Sequence, residues 1–221
     1  MGSAESIDGM LEMAFELFES KRLSEAEEIY HECLSTIEKT SHNYEVALHW
    51  LGYVKSELKK YDEARSIYSE LREIAKLNSN LQDELVAIHQ LGMVERMAEN
   101  YDVAIELFNE EFNLLMNNFP DFYVGFAANY FEQGYILFKK DSLLEAEKLM
   151  NQSLQYSKQS NDPIALGCSL RGLGEIFYAK GEIERAKGYF EQSILSFKEA
   201  NELVAVDEVK RMLDEICLFH N

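Results

Sequence analysis

The stretch Lys180 to Phe190, KGEIERAKGYF, returns four more times along the chain, and that recurrence decides the fold. It recurs as KDSLLEAEKLM (Lys140 to Met150), ENYDVAIELF (Glu99 to Phe108), KKYDEARSIY (Lys59 to Tyr68) and KRLSEAEEIY (Lys21 to Tyr30). Each copy carries an alanine (Ala26, Ala64, Ala104, Ala146, Ala186) and, four residues on, Tyr30, Tyr68, Phe108, Met150 or Phe190. Twelve residues before each alanine stands Ala14, Gly52, Gly92, Gly134 or Gly174. Glycine within a helix costs about 1 kcal/mol relative to alanine, so small residues held at one phase call for a steric reason. Close contact between two antiparallel helices supplies it: the small residue of the first helix faces the alanine of the second, and the large side chain four residues on fills space against the neighbouring pair. Segments such as Lys21-Arg22-Leu23 and Lys180-Gly181-Glu182 are the turns between them.

A period near 40 residues running from end to end makes the chain a helical repeat protein. It resembles the tetratricopeptide-repeat (TPR) family, most closely at Leu173-Gly174-Glu175-Ile176-Phe177-Tyr178-Ala179-Lys180-Gly181 with Ala186, Phe190 and Ser193. The period is longer than the family's shortest form, and the proline that often closes each repeat is absent. Long repeats of this kind resemble those of kinesin light chains, spindle-orientation adaptors and bacterial receptors for signalling peptides. The resemblance implies an all-α, right-handed α-solenoid of about five helix-turn-helix repeats, near 7–40, 44–79, 84–119, 122–161 and 164–201, in one domain. A last helix over 203–219, with Val206, Val209, Leu213 and Ile216 at helical spacing, would cap it. Pro120 and Pro163 fall between repeats, where proline suits the entry to a helix.

Sorting each first helix at 100° per residue separates two faces. Positions 16, 13, 12 and 9 before the alanine are core, as in Leu170, Leu173, Gly174 and Phe177. Positions 15, 11 and 8 form a second stripe: Leu11, Phe15, Phe18; His49, Tyr53, Ser56; His89, Met93, Arg96; Phe131, Tyr135, Phe138; Arg171, Glu175, Tyr178. Aromatic enrichment on a face not needed for packing within a repeat marks a partner site. In the family this stripe lines the concave groove. Internal packing of a tightly wound superhelix is the alternative reading of the same residues. His49, His89, Arg96 and Arg171 would lend one wall positive character, so the expected partner is a protein or peptide with apolar anchors and an anionic group. The lysines and asparagines with which co-chaperone domains of the family hold a terminal carboxylate are replaced here by Leu11, Phe15, His49, Tyr53, His89 and Met93.

With 21 Lys and Arg against 40 Asp and Glu, the formal charge of −19 argues against nucleic acid and anionic membrane surfaces as partners. Three widely spaced cysteines, Cys33, Cys168 and Cys217, give neither a disulfide framework nor a zinc motif and fit a reducing cytoplasm. His49 and His89 lack further ligands at short range, so no metal is expected; nor is any cofactor, and none of the common phosphate-binding or nucleophile motifs occurs. The reading is a non-enzymatic interaction module, a scaffold or adaptor, with an intracellular signalling-peptide receptor as runner-up. An acidic nucleic-acid mimic and an enzyme stand further off, and homo-oligomer formation stays open.

Overall fold

A computed structural model describes residues 6–219. Among them are eleven α-helices and no β-strand: α1 (Ile7–Glu19), α2 (Leu23–Thr36), α3 (His42–Glu57), α4 (Tyr61–Leu77), α5 (Leu81–Met97), α6 (Tyr101–Asn118), α7 (Tyr123–Lys139), α8 (Leu143–Ser160), α9 (Pro163–Ala179), α10 (Ile183–Glu199) and α11 (Leu203–Phe219). The architecture is an all-α solenoid of TPR-like helix pairs closed by a capping helix. Two compact units divide it, one up to Leu107 and one from Phe108 on.

The turn inside each pair is built five times in the same way. The residue five before the alanine has positive φ: Lys21, Lys59, Glu99, Asp141 and Gly181. The next amide reaches back to the carbonyl five residues earlier, as Arg22 to Leu17, Lys60 to Lys55, Asn100 to Glu95, Ser142 to Leu137 and Glu182 to Phe177, all at 2.8–2.9 Å. This is a Schellman closure, which satisfies carbonyls that the helix end would leave bare. Only the last copy uses glycine; the other four hold a side chain in the left-handed region, at a cost of roughly 1 kcal/mol each. Four of the five helices that open a pair start instead on side-chain caps, whereas α7 opens on Phe122 with no side-chain cap. Ser6 accepts from Gly9 N, Ser41 from Tyr44 N, Asn80 from Asp83 N, and Asp162 from Ala165 N, with Pro163 as the first residue of α9.

The five alanines are fully buried, and so are the large residues four positions on. In the first unit a Cβ on Gly52 would lie 2.5 Å from the Tyr68 ring, whose hydroxyl donates to the His49 carbonyl at 3.2 Å. In the second, a Cβ on Gly174 would lie 2.7 Å from the Phe190 ring. The rings of Tyr68 and Phe190 thus lie over the glycine of their own pair, and they also join buried clusters with the next helix, Tyr68 with Leu91 and Val94 of α5 and Phe190 with Val206 and Val209 of α11. Met150 does reach the next pair, at Gly172, and a Cβ on Gly134 would instead meet the α8 backbone, 3.3 Å from Met150 N. Val206, Val209 and Ile216 of α11 are buried against the end of the second unit, with Met212 and Leu213 half-buried beside them.

Candidate functional site

The stripe residues take a common intermediate state. Leu11, Phe15, Phe18, His49, Tyr53, His89, Met93, Arg96, Phe131, Tyr135, Phe138, Arg171 and Glu175 are all half-buried. Ser56 is buried, its hydroxyl donating to the Gly52 carbonyl one turn back at 2.8 Å, and Tyr178 is exposed. Half-burial is what a face left over from pairwise helix packing retains when its side chains lean on each other.

In the first unit these side chains converge. Phe15 and Phe18 of α1 meet Trp50 of α3 at ring-centroid distances of 4.6 and 5.6 Å, and Tyr53 stands 5.9 Å from both Phe18 and Trp50. His49 completes the group, 5.4 Å from Trp50 and 6.0 Å from Tyr53. Burial of its imidazole lowers the His49 pKa, so at neutral pH this ring is uncharged. Between α3 and α5, Tyr53, Ser56, Gln90, Met93, Arg96 and Met97 line an open cleft of about 270 Å³. Nearer the start of the same two helices a second cavity, of about 190 Å³, lies over Leu71. Trp50, the only tryptophan, is not among the residues expected from the sequence to form the site. It sits one place after the stripe, at a phase where the other repeats carry Glu12, Gln90, Glu132 and Gly172, so no recurring signal points to it.

The second unit gathers the rest. Phe131 stacks on Tyr135 at 6.0 Å, Tyr135 tilts against Phe138 at 6.1 Å, and the Lys139 ammonium lies 5.1 Å above Tyr135 and 5.9 Å above Phe138. Arg171 does not stand free on this wall: its guanidinium is 3.6 Å from Glu175 and 3.8 Å from Glu208 of α11. Burial raises the Glu175 pKa, opposed by Arg171 and Lys139. Of the four residues expected to give one wall positive character, His49 is a neutral ring and Arg171 faces two carboxylates, while Arg96 lines the cleft between α3 and α5. Cys168 is half-buried against the core cluster that holds Leu173 and Phe177, and burial raises its thiol pKa, which keeps it protonated.

Among the described residues no group of three or more His, Cys, Asp or Glu could hold a metal ion, and no helix is long and apolar enough to cross a membrane.

A sequence profile of the tetratricopeptide repeat matches residues 43–116. The chain has a TPR-like helix-turn-helix repeat fold. No curated protein sequence matches it. A kinesin light chain TPR-like repeat structure from Podosopora anserina superposes with a TM-score of 0.62 at 15% identity, over 88% of this chain and 96% of that one. A thermophilic TPR protein of Thermus thermophilus gives 0.66 at 14% identity, over 96% of this chain and all of that one. A Rap protein complexed with Competence and Sporulation Factor gives 0.66 at 12% identity, over 97% of this chain and 65% of that one. At these identities the likeness is one of fold.

Proposed function

We propose that this TPR-like repeat chain is a non-catalytic interaction module, and that the half-buried aromatic stripe docks a segment of another polypeptide. The carrying observation is the aromatic group on α1 and α3: Phe15, Phe18, His49, Trp50 and Tyr53 are half-buried and keep part of their surface in water, while the ring seated on Gly52 is that of Tyr68. Large, rigid aromatic side chains with residual exposure concentrate binding energy. Tyr135 and Phe138 in the second unit offer the same chemistry. Apolar anchors on the ligand are supported by this surface. The anionic group expected from the sequence has less support, since His49 is neutral and Arg171 already has two carboxylates.

The test is selection of a random peptide library on the full chain, followed by affinity measurement on Tyr53→Ala, Tyr135→Ala and the outward-facing control Ser69→Ala. The stripe substitutions should each cost about 1–3 kcal/mol of affinity and the control under about 0.5. Peptides that weaken only with Ser69→Ala would move the functional surface to the second helices of the pairs.

A further inference from the structure

The smaller cavity of the first unit has a chemistry that the aromatic stripe does not share. Its floor and walls are Val46, Leu71, Val86 and Ala87, with His49 and Trp50 closing one side. Two carboxylates, Glu45 of α3 and Asp83 of α5, also line it, together with His42. Asp83 accepts a hydrogen bond from the Asn80 side-chain amide, and among the described residues neither carboxylate forms an ion pair. The cation next to the floor in sequence, Arg72, is occupied by Glu84 at 3.5 Å.

An apolar slot lined by two carboxylates lacking a cation, inside a chain of net charge −19, is complementary to one kind of side chain. A lysine or arginine buries its methylene stem along apolar walls and keeps its charged head at the polar edge. The indole of Trp50 adds a π face, the best of the aromatic partners for a cation. His49 brings no competing charge, because burial holds it neutral. We propose that this cavity is a specificity pocket for a lysine or arginine side chain of the docked polypeptide, which makes the preferred ligand a segment with a basic residue beside its apolar anchors. This rests on the docking role of the neighbouring stripe and adds the charge of the partner, opposite to the one the sequence suggested.

Trp50 is the chain's only tryptophan and touches both the stripe and the pocket, so its fluorescence reports docking, and the difference between lysine and norleucine peptides reports the pocket. The full chain is titrated with short acetylated peptides in which a central lysine, flanked by leucines, is replaced by norleucine or by glutamate. The lysine peptide should shift Trp50 emission saturably, and the other two should bind at least about tenfold more weakly. Raising the salt should weaken the lysine peptide and spare norleucine. The Glu45→Gln/Asp83→Asn double variant, checked for native helicity by circular dichroism, should erase the preference for lysine over norleucine. A Trp50 that does not respond to the lysine peptide, an equal response to glutamate, or an unchanged preference in the double variant each overturns the pocket. Peptides lost on Tyr53→Ala while the lysine preference is absent would sink the pocket and leave the groove standing. A lysine preference with no effect of Tyr53→Ala or Tyr135→Ala would do the reverse.

Discussion

The joints between successive pairs are polar in both units, but at opposite levels of the helices. In the first unit the residue nine before the alanine, a core phase, holds Lys55 and Glu95, which are only 3% and 8% exposed. Each finds its partner one position after the alanine of the preceding pair. Lys55 meets Glu27, with Glu63 and Lys60 completing the group, and Glu95 takes two bonds from Arg65 at 2.6 and 2.9 Å. The charge is inverted between the two joints. At the other level, seven after one alanine and seventeen before the next, this unit is apolar, with Cys33 and Ala47, then Leu71 and Ala87.

In the second unit the nine-before phase is Leu137 and Phe177, and polarity has moved to the other level. Asn129 donates to Glu111 at 2.8 Å and to the Phe108 carbonyl at 2.7 Å, and Ser153 bonds Ser169 at 2.7 Å. One backbone plan thus tolerates either pattern, the polar side chains of each joint being bonded to one another. The inverted charges of the first unit also distinguish its joints, since Glu27 beside Glu95, or Lys55 beside Arg65, would be repulsive.

The plan they share should be the most sensitive part. Gly174→Leu drives a side chain into the Phe190 ring and should cost about 3 kcal/mol by chemical denaturation. Gly134→Ala, whose Cβ would find 3.3 Å to its nearest neighbour, should stay within about 1 kcal/mol of the parent, because better helix propensity offsets the crowding. Equal losses at the two glycines would show that the ring contact is not what fixes the phase.

The charged joint comes next. Arg65→Ala leaves the buried Glu95 with Asn100 alone and should cost about 2 kcal/mol, discounted from a fully buried pair because Arg65 is partly exposed. Arg65 holds the Glu95 pKa below the usual carboxylate value, aided by Asn100 against burial. Stability from this joint is therefore full above pH 4.5 and is lost as pH falls through the lowered folded value. Glu175 has the opposite sign: its raised pKa makes the folded state relatively more stable in acid, and that advantage fades as pH rises from 4.5 through the raised value. Arg65→Ala should flatten the acid limb of the stability profile, and Glu175→Gln should steepen it. A profile unchanged by either substitution removes these groups from the account.

The neutral joint should be the mildest. Ser153→Ala removes bonds to the Ala127 carbonyl and to Ser169, but Ser169 still donates to the Ala165 carbonyl, so about 1 kcal/mol is expected. A loss as large as that of Arg65→Ala would mean that the two joints do not differ in kind.

The repeat was legible because its markers are local. Alanine, the large residue four on and the small residue twelve before lie on two helices joined by a short turn, and the cap announces itself in Val206, Val209, Leu213 and Ile216. The joints were not legible. Lys55 at a core phase reads as a break in the pattern until Glu27, on an earlier helix, is seen to face it. The stripe residues could be picked out by angle, but not their electrostatics: the neutrality of His49 comes from burial, and the carboxylate near Arg171 from α11 is Glu208, far along the chain. Trp50 escaped because it is unique to one repeat, and uniqueness is invisible to a search for recurrence.

The central claim is that the stripe is the docking surface, and placement of a photoreactive group tests it most directly. Benzoylphenylalanine is put at Tyr53 or Tyr135 on the stripe, and at Ser69 or Gln155 on exposed faces of α4 and α8, and each protein is irradiated with the selected peptides. Covalent adducts at Tyr53 and Tyr135, competed away by unlabelled peptide and absent at Ser69 and Gln155, are the expected result. Adducts confined to Ser69 and Gln155 would place binding on the second helices of the pairs and contradict the claim.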